Sequence, residues 1–178
     1  MAADNANGAK YHQKQKNSHC CGATAVAVGM NILLGQKRFD GLAVWNSKQM
    51  GQDTTHYDLV SKTEKFIKAN GLGSKLKSFA LSGGRDTKST EYYRKALEKG
   101  YVVISSSGAG AKFRHKDGTY KLHNGHWIVF YRYADGVFYA NDSSQNKGKG
   151  AGAPYKTSEL KQWLDARDVH AAFCIGLK

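Results

Sequence analysis

Residues 20–34 read Cys-Cys-Gly-Ala-Thr-Ala-Val-Ala-Val-Gly-Met-Asn-Ile-Leu-Leu. After Cys21, only Thr24 and Asn31 interrupt a run of small and apolar side chains. A segment that is apolar nearly all round has no face to give to water, so it predicts a helix buried inside a domain. Gly35 is placed to end it. The same segment opens on a thiol. In the first turn of a helix the free N–H groups and the helix dipole favour a thiolate, and Gly22 lets a substrate approach the backbone closely.

Two other stretches supply what a thiol needs in order to act. Gln15 stands six positions before Cys21, far enough for a short loop to fold it back. Its side-chain amide and the Cys21 N–H would then form an oxyanion hole; Gln13 competes for the role. Far downstream, Gly125-His126-Trp127 opens a β-rich run that ends at Asn141-Asp142. A histidine there can take the thiol proton and later give one to a leaving amine. Strand alternation puts His126, Ile128 and Phe130 on one face, with His123 in the preceding loop as the nearest rival. The orienting group is Asp142 or Asn141, and the hairpin register decides between them. A three-residue loop, Ala134 to Gly136, pairs Tyr133 with Val137 and sets Asp142 diagonally beside His126. A two-residue Asp135-Gly136 loop pairs Ala134 with Val137 and offers Asn141. Gly136 suits the left-handed third position of the longer loop, which favours Asp142.

The remaining elements follow from periodicity and punctuation. Helices are predicted over Thr55–Ala69, stopped by Asn70-Gly71, over Thr87–Lys99 before Gly100, and over Ser158–Ala166, capped by Thr157 or Ser158. Strands are predicted over Leu76–Leu81, broken by Ser82-Gly83-Gly84, and over Tyr101–Ser106, Trp127–Tyr133, Val137–Ala140 and Ala171–Leu177. Gly108 to Leu122 reads as an exposed loop or ribbon, and Gln145 to Ala153 as a flexible loop. Helices first and strands later indicate an α+β domain.

The 178 residues suit one domain, with residues 1–14 as a polar, flexible lead-in and 15–178 as the folded unit. Apolar residues make up 40%, enough for a core, and no run of about 18 apolar residues predicts a membrane span. The lead-in lacks the apolar stretch of a secretory signal. The net charge of +13 could attract nucleic acid or an acidic partner, but the lysines are dispersed and form no basic block, so a nucleic-acid role is disfavoured. Three cysteines exclude a complete disulfide framework, and Cys174, in an apolar stretch, reads as a small buried residue. His12, His19, Cys20 and Cys21 are ligand types that suit zinc. Adjacent cysteines chelate poorly and no Cys-x-x-Cys is present, so no metal or cofactor is expected.

Gln15, Cys21-Gly22 before a buried helix, Gly125-His126-Trp127 and Asp142 together resemble the papain-like cysteine hydrolases. The likeness is to the bacterial branch of bacteriocin-leader (double-glycine) peptidases and related effector deamidases and proteases. It spans about Gln15 to Leu177. Ser143 departs from that family, which usually has proline after the aspartate. The resemblance implies a papain-like fold, with an N-terminal helix carrying the nucleophile packed on a C-terminal antiparallel sheet. It also implies Cys21 as nucleophile, His126 as general base and acid, Asp142 as orienter and Gln15 as oxyanion donor, while Cys20 is assigned no role. The activity implied is thiol-dependent cleavage of an amide in a protein or peptide substrate, as a peptidase or a protein-glutamine deamidase. A secreted or delivered effector or toxin domain, with an immunity or delivery partner, fits that branch. The competing expectation is a non-catalytic basic module that binds nucleic acid or an acidic protein on the same fold.

Overall fold

The computed structural model describes residues 5–51, 58–81, 88–166 and 171–178, without the side chains of 109, 123 and 124. The expected central helix is present as α1, Cys21–Leu34, and every residue after Cys21 is buried. It ends at Gly35 in the left-handed conformation. Next come α2, Gly41–Trp45, and α3, Leu59–Ala69. The side chain of Asp40 caps α2 by accepting the Leu42 and Ala43 N–H groups at 3.0 and 3.2 Å. The predicted start of α3 near Thr55 lies outside the described residues, as does the Ser82-Gly83-Gly84 break. Strand β1 is Leu76–Ala80 and α4 is Thr90–Glu98, with Tyr93, Ala96 and Leu97 buried as its spacing predicts.

Then the strands take over: β2, Val102–Arg114; β3, Tyr120–Ala134; β4, Val137–Asn141; β5, Ala151–Lys156; and β6, Ala171–Leu177. A single turn, α5 at Lys147–Gly150, precedes β5, and α6, Thr157–Asp165, follows it. The Glu159 carboxylate caps α6 by accepting the Lys156 N–H at 2.8 Å, so neither Thr157 nor Ser158 is the N-cap. Among the described residues the strands form one six-stranded antiparallel sheet in the order β1-β6-β2-β3-β4-β5. This is an α+β fold.

Three regions depart, in whole or in part, from the sequence reading. Gly108 to Leu122 is mostly strand, and β2 and β3 continue as a two-stranded ribbon past their other partners. Ala111 and Phe113 in that ribbon are buried. Residues 151–156, expected to fall partly in a flexible loop, form the edge strand β5. An edge is where a sheet tolerates Pro154, and Ala151, Ala153 and Tyr155 point inward in strict alternation. The segment expected as a flexible lead-in contains a 3-10 helix, Asn5–Tyr11, and Tyr11 is buried in the core.

The sheet has a core on each face. One is built by α1, α2 and α3 against Val102, Ile104, Trp127, Val129, Phe173 and Ile175. The other is built by α4 and α6 against Val103, Ile128, Phe130, Phe138 and Cys174. Neighbouring residues of β2 and β3 therefore point into different cores, which explains their unbroken apolar runs. Helix α1 lies close on the sheet at Gly29: a Cβ there would come within 3.0 Å of Val102 and 3.2 Å of Ile104. Gly29→Leu should therefore overpack this contact and cost about 1–3 kcal/mol. It would be read as a lower urea midpoint with unchanged slope; a variant as stable as the parent would contradict the close approach.

Candidate active site

Cys21 is the first residue of α1 and half-buried. Its neighbour Cys20 is fully buried and turned away: its sulfur lies 3.7 Å from the Asn17 carbonyl and 3.7 Å from the Thr24 hydroxyl. Cys174 is also buried, and burial pushes its thiol up to about 12. Cys21 lines a surface cleft together with His126.

His126 comes from β3 and Asp142 follows the end of β4. The His126 Nε2 atom lies 2.6 Å from Asp142 Oδ1, with both side chains buried. The other side of the imidazole faces the Cys21 thiol, with which it hydrogen-bonds. Phe113 packs edge-on against the His126 ring at 5.2 Å and helps hold its plane. His123 is in β3 opposite Ala111 and not in a preceding loop.

Asp142 reaches His126 by a route that the sequence reading did not foresee. The β3–β4 turn has two residues, not three: Asp135 and Gly136 both adopt positive φ, and Ala134 pairs with Val137. This is the type I′ geometry that matches strand twist. Left alone, that register would offer Asn141. Between Phe130 and Arg132, however, the ladder shifts by one, leaving Tyr131 as the extra residue of a β-bulge. Beyond it Phe130 pairs with Ala140 and Val129 with Asn141, which brings Asp142 opposite Ile128. Asn141 points to the other face. There its side chain donates to the Gly8 carbonyl at 3.0 Å and accepts the Gly152 N–H at 3.0 Å.

Charges in this line reinforce one another. Burial disfavours the charged imidazolium, but the Asp142 carboxylate and the Cys21 sulfur outweigh it and raise His126 to about 9. Burial likewise opposes the Cys21 thiolate, yet His126 and the N–H groups of Trp127 and Gly22 hold the thiol below its ordinary range. Burial also works against the Asp142 carboxylate. Against it act His126 and Ser144, whose N–H lies 2.8 Å from Oδ1, and they lower Asp142 to about 2. The arrangement favours an imidazolium–thiolate pair.

Gln15 lines the same cleft. Its backbone N–H donates to the Ser143 carbonyl at 2.8 Å, its Nε2 to the Asn17 carbonyl at 2.8 Å, and its Oε1 accepts from the Ser143 hydroxyl at 3.0 Å. Gln13 is committed elsewhere, donating to the Phe39 carbonyl at 2.7 Å and accepting the Gly41 N–H at 2.9 Å. His12 Nε2 lies 2.9 Å from the Asp142 carbonyl. Residues 12–15 are thus tied to the strand end that bears Asp142. The cleft is about 370 Å³ and is lined by Gln15, Cys21 and His126 together with Lys16, Lys121 and Gly125. Sequence reasoning missed the parts played by His12 and Asn17, and Ser143 was visible only as a departure from proline.

No protein-family model matches the sequence, and no curated protein matches it. Solved structures do. A protein described as a C39-like peptidase from Bacillus anthracis superposes with a TM-score of 0.59 over 92% of each chain at 13% identity. A double glycine motif protease from an AMS/PCAT transporter, in complex with the leader peptide, aligns at 14% identity. That alignment covers 93% of this chain and 88% of the other, with a TM-score of 0.49. The first likeness is one of fold, and the fold is the papain-like one that the sequence resemblance implied.

The two residues at the end of β4 should separate cleanly. Asp142→Ala should slow alkylation of Cys21 by iodoacetamide near neutral pH by on the order of tenfold or more. Asn141→Ala should keep the alkylation rate and destabilise by about 1–3 kcal/mol, because it orphans buried backbone groups. Rate measurements and urea melts on both variants check this, and the reverse pattern would contradict the register.

Proposed function

We propose that the chain is a thiol-dependent amide hydrolase acting as a cysteine peptidase. The observation that carries this reading is the line from the Cys21 thiol through His126 to the buried Asp142 carboxylate, opening on a cleft. In this reading the Cys21 thiolate attacks the carbonyl carbon of the scissile amide. The negative charge moves to the carbonyl oxygen, which the Gln15 Nε2 and the Cys21 N–H receive as an oxyanion hole. His126 gives its proton to the leaving amine as the C–N bond breaks, and a thioester remains. A water molecule then attacks the thioester, His126 takes its proton, and the acid product leaves as the thiolate is restored. Asp142 holds the imidazole in the orientation that both transfers need and stabilises its charged form.

The same steps would hydrolyse a glutamine side chain and release ammonia. The fold likeness to a C39-like peptidase supports peptide-bond cleavage over deamidation. An open cleft is also suited to an extended chain. Electrophile chemistry at Cys21 separates both from the binding-module alternative, which needs no reactive thiol.

Lysate treated with the protein or with Cys21→Ala, analysed by mass spectrometry, tests the proposal. New peptide N-termini that depend on Cys21 are the expected outcome. Conversion of glutamine to glutamate, a gain of about 1 Da, would replace the peptidase with a deamidase. Identical lysates would contradict hydrolysis.

A further inference from the structure

We infer that Ser143 is a positioning residue for catalysis: the Asn17 carbonyl selects the N–H end of the Gln15 amide, and the Ser143 hydroxyl holds its oxygen end, so that an N–H, and not the oxygen, faces the reacting carbonyl. The inference rests on the proposed reading of Gln15 as oxyanion donor. An amide side chain can turn over end for end, and only its neighbours decide which way it points. Here the neighbours differ in kind. The Asn17 carbonyl can only accept, so it takes Nε2 at 2.8 Å. The Ser143 hydroxyl can donate, and does so to Oε1 at 3.0 Å. Ser143 also accepts the Gln15 backbone N–H at 2.8 Å, so the residue is held at both its main chain and its side chain. Asn17 uses one amide hydrogen and leaves the second for the cleft that Gln15 lines.

Ser143 itself is 4% exposed and follows Asp142 directly. The two adjacent residues therefore serve opposite sides of the same reaction. Asp142 orients the proton carrier, and Ser143 orients the donor that meets the negative charge. Preorganised donors are effective because they need not reorient as charge develops. Loosening Gln15 should weaken oxyanion stabilisation while leaving the thiol reactive.

Two electrophiles read these properties separately. With p-nitrophenyl acetate, the Cys21 thiolate adds to the carbonyl carbon, an oxyanion forms, and its collapse expels p-nitrophenolate and leaves an acetyl thioester. With iodoacetamide, the thiolate displaces iodide at carbon and no oxyanion forms. Ser143→Ala should slow acylation by about tenfold, Gln15→Ala by on the order of a hundredfold, and both should alkylate at the parental rate. In the Gln15→Ala background, Ser143→Ala should add nothing, because its target is gone. Ser143→Thr, which keeps the hydroxyl, should restore acylation. Equal slowing of acylation and alkylation, or an undiminished effect without Gln15, would overturn the positioning role in an active enzyme. Parent protein that acetylates no faster than Cys21→Ala would instead overturn the hydrolase reading on which it rests.

Discussion

The ladder between β3 and β4 slips by one residue at Tyr131, and the site depends on that slip. Side chains on a strand alternate between faces, so a one-residue change of register exchanges every one of them. The two-residue turn at Asp135-Gly136 alone would bring Asn141 to the histidine's face. The bulge restores the register in which Asp142 meets His126 at 2.6 Å. It also frees Asn141 to hold the N-terminal segment from the other side. One irregularity therefore gives two adjacent polar residues two separate tasks.

Around that contact the fold supplies rigidity from independent directions. Helix α1 is buried along its whole length after Cys21, so the thiol starts from a fixed point. Phe113, from the ribbon beyond the main sheet, packs on the His126 ring. Residues 12–15 grip the strand end through the Asp142 and Ser143 carbonyls. Through them Gln15 and His126 are anchored to the same two residues. Burial alone would neutralise the charged forms of Cys21, His126 and Asp142. Their mutual interaction opposes that, and it does so because the three are held in line.

Much of this was legible in the sequence. Residues 22–34 could only be a buried helix, and the alternation of His126, Ile128 and Phe130 placed the histidine on its face. Asp142 does lie beside His126, but through a two-residue turn and a bulge and not through the three-residue loop read from the sequence. Tyr131 is an ordinary strand residue, and nothing in its type announces a bulge; the stagger arises from tertiary packing that a single sequence does not display. Strand β5 was hidden because Ala-Gly-Ala-Pro-Tyr-Lys carries turn residues, which an edge position accepts. The β2–β3 segment reads only as loop or ribbon because its glycines and lysines mark solvent on one face, while the burial of Ala111 and Phe113 on the other is not legible. Ser143 was seen as an absence of proline, since a hydrogen-bonding role depends on a partner 128 residues away in the chain.

The most direct test of this account is an NMR titration of the His126 imidazole in the parent protein and in Asp142→Asn. Its carboxylate and thiolate neighbours raise the folded-state value, so the ring should stay protonated through neutral pH and lose its proton only as pH rises through about 9. In Asp142→Asn it should titrate well below that. An imidazole that titrates near the ordinary histidine range of about 6.5 in the parent, unmoved by loss of the carboxylate, would contradict the charged line on which the account is built.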